Sequence, residues 1–249
     1  MIISHTHKFI FIKPTKVAGT SIEVSLSKFC GEKDVITPIT KYLPLFDEDE
    51  YVHQSQNDAG FYNHMSALAI KNKVGSRVWG TYFKFTVVRN PWDLVVSRYC
   101  WEKTFVKYRI AKCMRRLLEN PIRFEFYKRL IRLLIHKFEV RSFDSFIRGF
   151  EPDWTNERFY FDREGNTVCD FYIRYENLSD DFDAVCTKLG IDPCRLPRLK
   201  SRTRNHDVHY SDHYSDKTKA IVASLFSREI ECFGYTFGGS DCSIDVHEI

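Results

Sequence analysis

Two short apolar runs, each delivered directly into a turn and then a helical pattern, constrain this chain more than any other feature. "KFIFI" (8–12) is continuous and β-rich, as in a strand buried on both faces. A loop over 13–19 follows, and then "TSIEVSLSKFC", in which Ile22, Leu26 and Phe29 fall at helical spacing. "YFKFTVV" (82–88) repeats the arrangement and stops at "RNP". There Asn90 suits an N-cap, Pro91 the first helical position and Asp93 the first turn, so that "WDLVVSRYCWEK" continues as a helix. Strand, turn and helix in succession, twice over, predict an α/β fold. The chain of 249 residues is long enough for one sizeable core, and we expect a single domain over 1–238 with a frayed tail at 239–249.

Elsewhere "HMSALAIKNKVG" (64–75) predicts a helix ending at Gly75, and 31–60 reads as connections. "SFDSFIRGF" (142–150) predicts a helix, "FYIRYENL" (171–178) a strand leading to a helix closed by Gly190, and 216–234 a final helix. The eight cysteines form no C-x-x-C pair and are expected to be reduced thiols. No run approaches a membrane span and no signal peptide is legible, which predicts a cytoplasmic protein; a Golgi-lumen location would fit only a catalytic domain cut from a longer chain.

Charge is unevenly placed. Residues 103–137 hold eleven Lys or Arg against two Glu, a local net of +9, so that the rest of the chain is negative although the whole is +4. This basic helical insertion (103–140) carries two helical patterns separated by Asn120-Pro121. Met114, Leu117 and Leu118 lie on one face of the first; Tyr127, Leu130, Ile131, Leu134 and Phe138 line the second. Three readings stand: the apolar stripes pack inward beneath a solvated basic face, the helices form a cleft wall for an anionic glycan, or they attach to an anionic membrane surface through 103–138. Nucleic acid is not expected, since no recognised module is present.

The loop after the first strand has the chemistry of an anion site. Helix N-terminal amides lack intrahelical partners, Ala18 and Gly19 allow close backbone approach, Lys16 adds a point charge, and Thr20 and Ser21 add hydroxyls. The loop is not G-x-x-x-x-G-K-[ST], and the second strand ends in Arg89 where a magnesium-dependent kinase tends to carry Asp. Arg89 offers a bidentate fork for phosphate, and Ser97 lies two turns into the following helix. The plainer readings are a strand-to-helix turn that merely needs glycine, and an Arg89 paired with an acid such as Asp93.

With both motifs in view, the chain resembles the sulfotransferases. "PTKVAGTSIE" is similar to their 5′-phosphosulfate loop and "FKFTVVRNPWDLVVSRY" to their 3′-phosphate motif; "YNHMSA", "IRYENL" and "FGYTF" resemble the carbohydrate-type branch, which includes the heparan sulfate 2-O-sulfotransferases and microbial relatives. The resemblance implies a P-loop-kinase-like three-layer α/β fold with a central parallel sheet. It implies the donor 3′-phosphoadenosine 5′-phosphosulfate (PAPS), released as 3′-phosphoadenosine 5′-phosphate, and no metal. It also implies that Lys16, Val17, Ala18, Gly19, Thr20 and Ser21 hold the 5′-phosphosulfate and that Arg89 and Ser97 hold the 3′-phosphate. Relatives read "IPKTGGTS"; here "IKPTKVAGTS" has an added residue and an extra lysine, Lys13, so either Lys13 or Lys16 could face the sulfate.

Transfer to a hydroxyl needs a base. The related enzymes place one near "YNHMSA", which makes His64 the candidate and His53 the substitute; a helix N-terminus would keep His64 neutral. His206, His209 and His213 do not follow a standard zinc spacing. Arg202, Arg204, Tyr210 and Tyr214 lie in a loop that related enzymes close over nucleotide or acceptor, and Glu176 reads as the cap of the next helix. The expected activity is sulfuryl transfer from PAPS to a carbohydrate or glycoconjugate hydroxyl. Its rivals are an ATP-dependent P-loop small-molecule kinase and a non-catalytic relative that binds an anionic polymer.

Overall fold

The two apolar runs form strands β2 (Phe9–Phe11) and β4 (Phe83–Val88), which lie side by side and parallel, with Phe9 opposite Phe83 and Phe11 opposite Phe85. The computed structural model describes residues 1–39, 53–119, 124–199, 203–204 and 208–239. It divides into two compact units: Met1–Asn90 with Thr155–Lys200 and Ser227–Ile249, and Pro91–Trp154 with Ser201–Phe226.

The first unit is built on a five-stranded sheet completed by β1 (Ile2–Ser4), β3 (Val35–Ile36) and β5 (Phe171–Arg174), in the order β3-β1-β2-β4-β5. Strands β2, β4 and β5 are parallel, whereas β1 is antiparallel to both β2 and β3. The sheet is therefore mixed, and the expectation of a parallel sheet holds for three strands. The cause is local: only four residues join β1 to β2, and so short a connection can link only antiparallel neighbours. Phe9, Phe11 and Phe85 pack ring on ring in the core, with the ring centroids of Phe11 and Phe85 5.3 Å apart.

Helices α1 (Gly19–Ser27), α2 (Ala67–Thr81), α6 (Glu157–Tyr160), α7 (Leu178–Leu189) and α9 (Ser227–Phe233) belong to this unit. The hydroxyl of Ser66 caps α2 by accepting from the Ala69 N–H. Gly75 breaks α2 as its sequence predicts, at φ 80° and ψ 164°, but helical backbone resumes beyond it to Thr81. Helix α7 ends on Gly190 in the left-handed region.

The second unit contains α3 (Pro91–Glu119), α4 (Phe124–Glu139), α5 (Phe143–Arg148) and α8 (Asp216–Leu225). The first basic pattern is not a separate helix: α3 runs unbroken through it for 29 residues. Asn120-Pro121 lies outside the described residues. The final helix expected over 216–234 is split at Phe226 into α8 and α9. Tyr99, Phe143, Phe146, Trp154 and Phe226 form the aromatic core of this unit.

Of the three readings of the basic helices, inward packing of the apolar stripes holds only in part: Leu117 and Leu130 are half-buried. Val106, Cys113 and Leu133 are buried, but Met114, Leu118, Tyr127, Ile131, Leu134, Ile135 and Phe138 are all exposed. The seven cysteines described are free thiols, and among the described residues no helix is long and apolar enough to cross a membrane.

Candidate active site

Parallel pairing of β2, β4 and β5 sends three strand ends out of the same edge of the sheet, the edge where open α/β sheets build their sites. The Thr86 hydroxyl donates to the Ile12 carbonyl at 2.9 Å and so fixes where the first loop leaves β2. Beyond it, Lys16 and Ala18 both adopt left-handed backbone, at φ 62° and 58°. Such a conformation costs a residue with a Cβ about 1–2 kcal/mol. It is held here by what surrounds it.

Part of that support comes from Asn156, which the sequence reading did not single out. Its Oδ1 accepts from the N–H and hydroxyl of Thr15, at 3.1 and 2.9 Å, and its Nδ2 donates to the Thr15 carbonyl at 3.0 Å. Its own N–H donates to Glu229, whose carboxyl is pushed up to about 8 by burial. An asparagine just before a helix reads as a cap, yet at α6 this side chain makes no capping bond.

Helix α1 opens at Gly19 from Ala18, which provides no side-chain cap, and the Ser21 N–H turns back to the Ala18 carbonyl at 2.9 Å. A Cβ at Gly19 would lie 2.8 Å from Lys13 Cγ, so glycine is required there by contact. Thr20 is half-buried. Ser21 is buried, with its hydroxyl 3.4 Å from the Leu199 N–H.

The two lysines differ sharply. Lys13 is 1% exposed and its ammonium is ion-paired with Glu23, which also binds the Met1 amino group and accepts from the Thr37 hydroxyl. Burial pushes the Glu23 carboxyl up, but the Met1 amino group and Lys13 outweigh it and hold the carboxyl at about 2. Lys13 thus supports the floor of the loop, while Lys16 stands half-buried on the loop itself.

Arg89 leaves the end of β4 and reaches back to this loop. Its Nη1–H donates to the Lys16 carbonyl at 2.6 Å, and its guanidinium lies 3.8 Å above the ring of Tyr175, at the end of β5. The two motifs, 73 residues apart, therefore meet directly. Glu176, expected to cap the next helix, accepts instead from the Asn90 N–H at 2.7 Å and so holds the "RNP" turn. Tyr175 was also missed, although its place at a strand's carboxyl end was a usable signal.

His64 also touches the loop. Its Nδ1 lies 3.0 Å from the Lys13 carbonyl, an oxygen that can only accept. Nδ1 therefore carries the proton of the neutral ring, and Nε2 is left as the acceptor. Burial, then the Lys13 charge, lower its pKa from about 6.5 to about 3. His64 is itself in left-handed backbone, at φ 61°. His53 is more buried and sits 3.2 Å from the Thr37 carbonyl, beside the Glu23 cluster rather than the loop.

The remaining candidates fall in the second unit. Ser97 is half-buried on α3. Asp93 is ion-paired with Arg204, the Tyr214 hydroxyl donates to the Trp92 carbonyl at 2.8 Å, and Tyr210 is buried. His209 caps the turn at Tyr210–His213, while His213 packs against Tyr99 and Phe143. Arg202 and His206 lie outside the described residues. Among the described residues no group of three or more His, Cys, Asp or Glu is placed to hold a metal.

A loop with an uncapped helix start, its own lysine and an arginine bound to its backbone is the setting in which the comparisons with known proteins gain meaning. The sequence profile described as "Sulfotransferase family" matches residues 1–236. The chain belongs to the sulfotransferase family. This sulfotransferase is also similar to an uncharacterized protein of Archaeoglobus fulgidus, with 28% identity over 127 residues that cover 51% of this chain and 83% of the other. No solved structure matches it.

Proposed function

We propose that this sulfotransferase moves a sulfuryl group from PAPS to a hydroxyl of a carbohydrate or glycoconjugate, with His64 as general base. The observation that carries the reading is the bond from Arg89 to the Lys16 carbonyl, which joins the two anion-binding motifs at adjacent strand ends. The residues suit such a donor: the αL backbone at Lys16 and Ala18, the missing Cβ at Gly19 and the uncapped start of α1 make a cradle for an anion. When bound, PAPS supplies the sulfuryl group, and its 5′-phosphate leaves with growing negative charge.

In this reading Lys16 and the amides of Val17, Ala18, Gly19 and Thr20, with the Ser21 hydroxyl, hold the phosphosulfate and meet that charge. Lys13 is assigned no contact with the donor, because Glu23 already offsets its charge. Arg89 holds the 3′-phosphate through its guanidinium, and Ser97, in the second unit, is assigned there by the sequence resemblance alone. His64 Nε2 takes the proton of the attacking hydroxyl, a role supported by the tautomer that its Nδ1 contact selects.

Calorimetry and a labelled-PAPS transfer assay test this reading. Tight binding of 3′-phosphoadenosine 5′-phosphate with weak binding of ATP, together with label transfer to a glycan or glycolipid that His64→Ala abolishes, is the expected result. Tight ATP binding with magnesium would make the protein a kinase, and transfer to tyrosine peptides alone would overturn the acceptor class.

A further inference from the structure

Helix α4 buries Leu133 but leaves most of its large apolar side chains exposed, unlike an ordinary helix on the surface of a water-soluble unit. Such a helix turns its apolar stripe to the core and its charges outward. Here Lys128, Arg129, Arg132, His136 and the buried Leu133 line a cavity of about 630 Å³ that also takes in Glu102, Arg109 and Trp154 of the same unit. His136 lies within 3.4 Å of Glu102 and 2.9 Å of Glu139, so both carboxylates are engaged locally. The large apolar side chains point to solvent instead. Tyr127, Ile131, Leu134, Ile135 and Phe138 are all exposed, Phe138 at 70%. At 100° per residue these five occupy an unbroken arc of about 100°. Lys128, Glu139 and Arg132 border the arc on one side, and Leu130 and Lys137 on the other. On α3, Leu118 is 86% exposed and shares its helix end with Arg115 and Arg116.

We infer that α4 docks this protein onto an anionic lipid bilayer, lying in the plane of the interface with its apolar arc among the acyl chains. Each part of the pattern has a place in that setting. At 16 residues α4 is about 24 Å long, so it can lie in an interface and not span one. Apolar side chains over a continuous arc insert to the depth of the headgroup–acyl boundary. Lys137 keeps its stem along that boundary and its charge at headgroup level, and Lys128 and Arg132, which line the cavity, add positive charge to the same helix. Tyr127, amphipathic, suits the same depth.

Charge selects this occupant over a second copy of the chain. Residues 103–137 carry a net +9, so two copies meeting through α4 would bring like charge to like charge, whereas anionic headgroups neutralise it. The inference does not rest on the sulfuryl-transfer reading, since no residue of the Lys16 loop takes part in it.

The test is sedimentation of the full chain with vesicles. It should pellet with mixed phosphatidylglycerol–phosphatidylcholine vesicles and stay in solution with phosphatidylcholine alone. Ile131→Asp with Phe138→Asp, both exposed and so tolerable to the fold, should lower partitioning about tenfold or more. Lys128→Glu with Arg132→Glu should lower it as well, and added salt should weaken binding of the unsubstituted chain. Circular dichroism and denaturant unfolding of the same Asp variants should be unchanged; a loss there would mean that the fold had been disturbed, and partitioning of Ile131→Ser with Phe138→Ser then decides. No pelleting with anionic vesicles overturns the inference, as does equal pelleting with both kinds. A concentration-dependent dimer in ultracentrifugation that Phe138→Asp dissolves would assign the face to a second copy.

Discussion

A histidine whose ring is committed at Nδ1 to a backbone carbonyl has only one nitrogen left for chemistry. His64 is in that position, and its low pKa keeps Nε2 unprotonated across the range where an exposed imidazole would titrate. The pH profile of kcat/KM, which reports the free enzyme, should therefore show no acid-side break near 6.5, the break being displaced toward about 3. His64→Ala should lower kcat by about 10²–10⁴-fold with little change in 3′-phosphoadenosine 5′-phosphate affinity. A break at the usual histidine pH in the unsubstituted enzyme would mean that burial and the Lys13 charge do not lower the His64 pKa. Gly19 is constrained by contact in a different way. Its missing Cβ leaves room for the stem of Lys13, which cannot retreat because Glu23 holds its far end. Gly19→Ala should cost about 1–3 kcal/mol in denaturant unfolding and weaken nucleotide binding at the same time.

At the scale of elements, what the sequence made legible was continuous and local. β2 and β4 were visible because an apolar run followed by a breaker and a helical period leaves few alternatives. β1 and β3, of three and two residues, carry too little pattern to be seen and gain their place from pairing. Asn156 was invisible for another reason: it acts on Thr15 from 141 residues away, and nothing near it in the chain marks that partner. Asn156→Ala removes three hydrogen bonds to the loop. It should cost about 2–4 kcal/mol of stability and raise KM for the donor, which kinetics of Asn156→Ala beside Asn156→Asp would separate from simple unfolding. The arc on α4 shows a further limit. A helical period tells which residues share a face, but not whether that face meets protein, so the sequence left inward packing and exposure both open, and most of the stripe is exposed.

Across the whole molecule, buried ionisable groups set opposing pH limits on stability. Glu229 is raised from 4.5 to about 8 by burial, so the folded chain keeps a proton that the unfolded chain gives up; stability is lost as pH rises through that window. Glu23 acts in the other direction: its contribution is present above 4.5 and disappears as pH falls toward about 2. Lowering of His64 to about 3 adds to the acid-side loss below 6.5. Glu229→Gln keeps an oxygen for the Asn156 N–H and removes the titration. Chemical denaturation at the two ends of the Glu229 window should show the variant gaining roughly 2–4 kcal/mol at the alkaline end relative to the acid end. An unchanged difference between the two would mean that Glu229 ionises normally.

The bond between Arg89 and the Lys16 carbonyl makes the two motifs a single mechanical part. Whatever pulls the guanidinium into place also sets the loop that carries Lys16. Under the proposed function, recognition at the far end of the donor would then be spent on alignment at the reacting end, as remote binding energy often is. A donor stripped of its 3′-phosphate should consequently turn over more slowly even at saturation, and Arg89→Ala should erase the difference between the two donors.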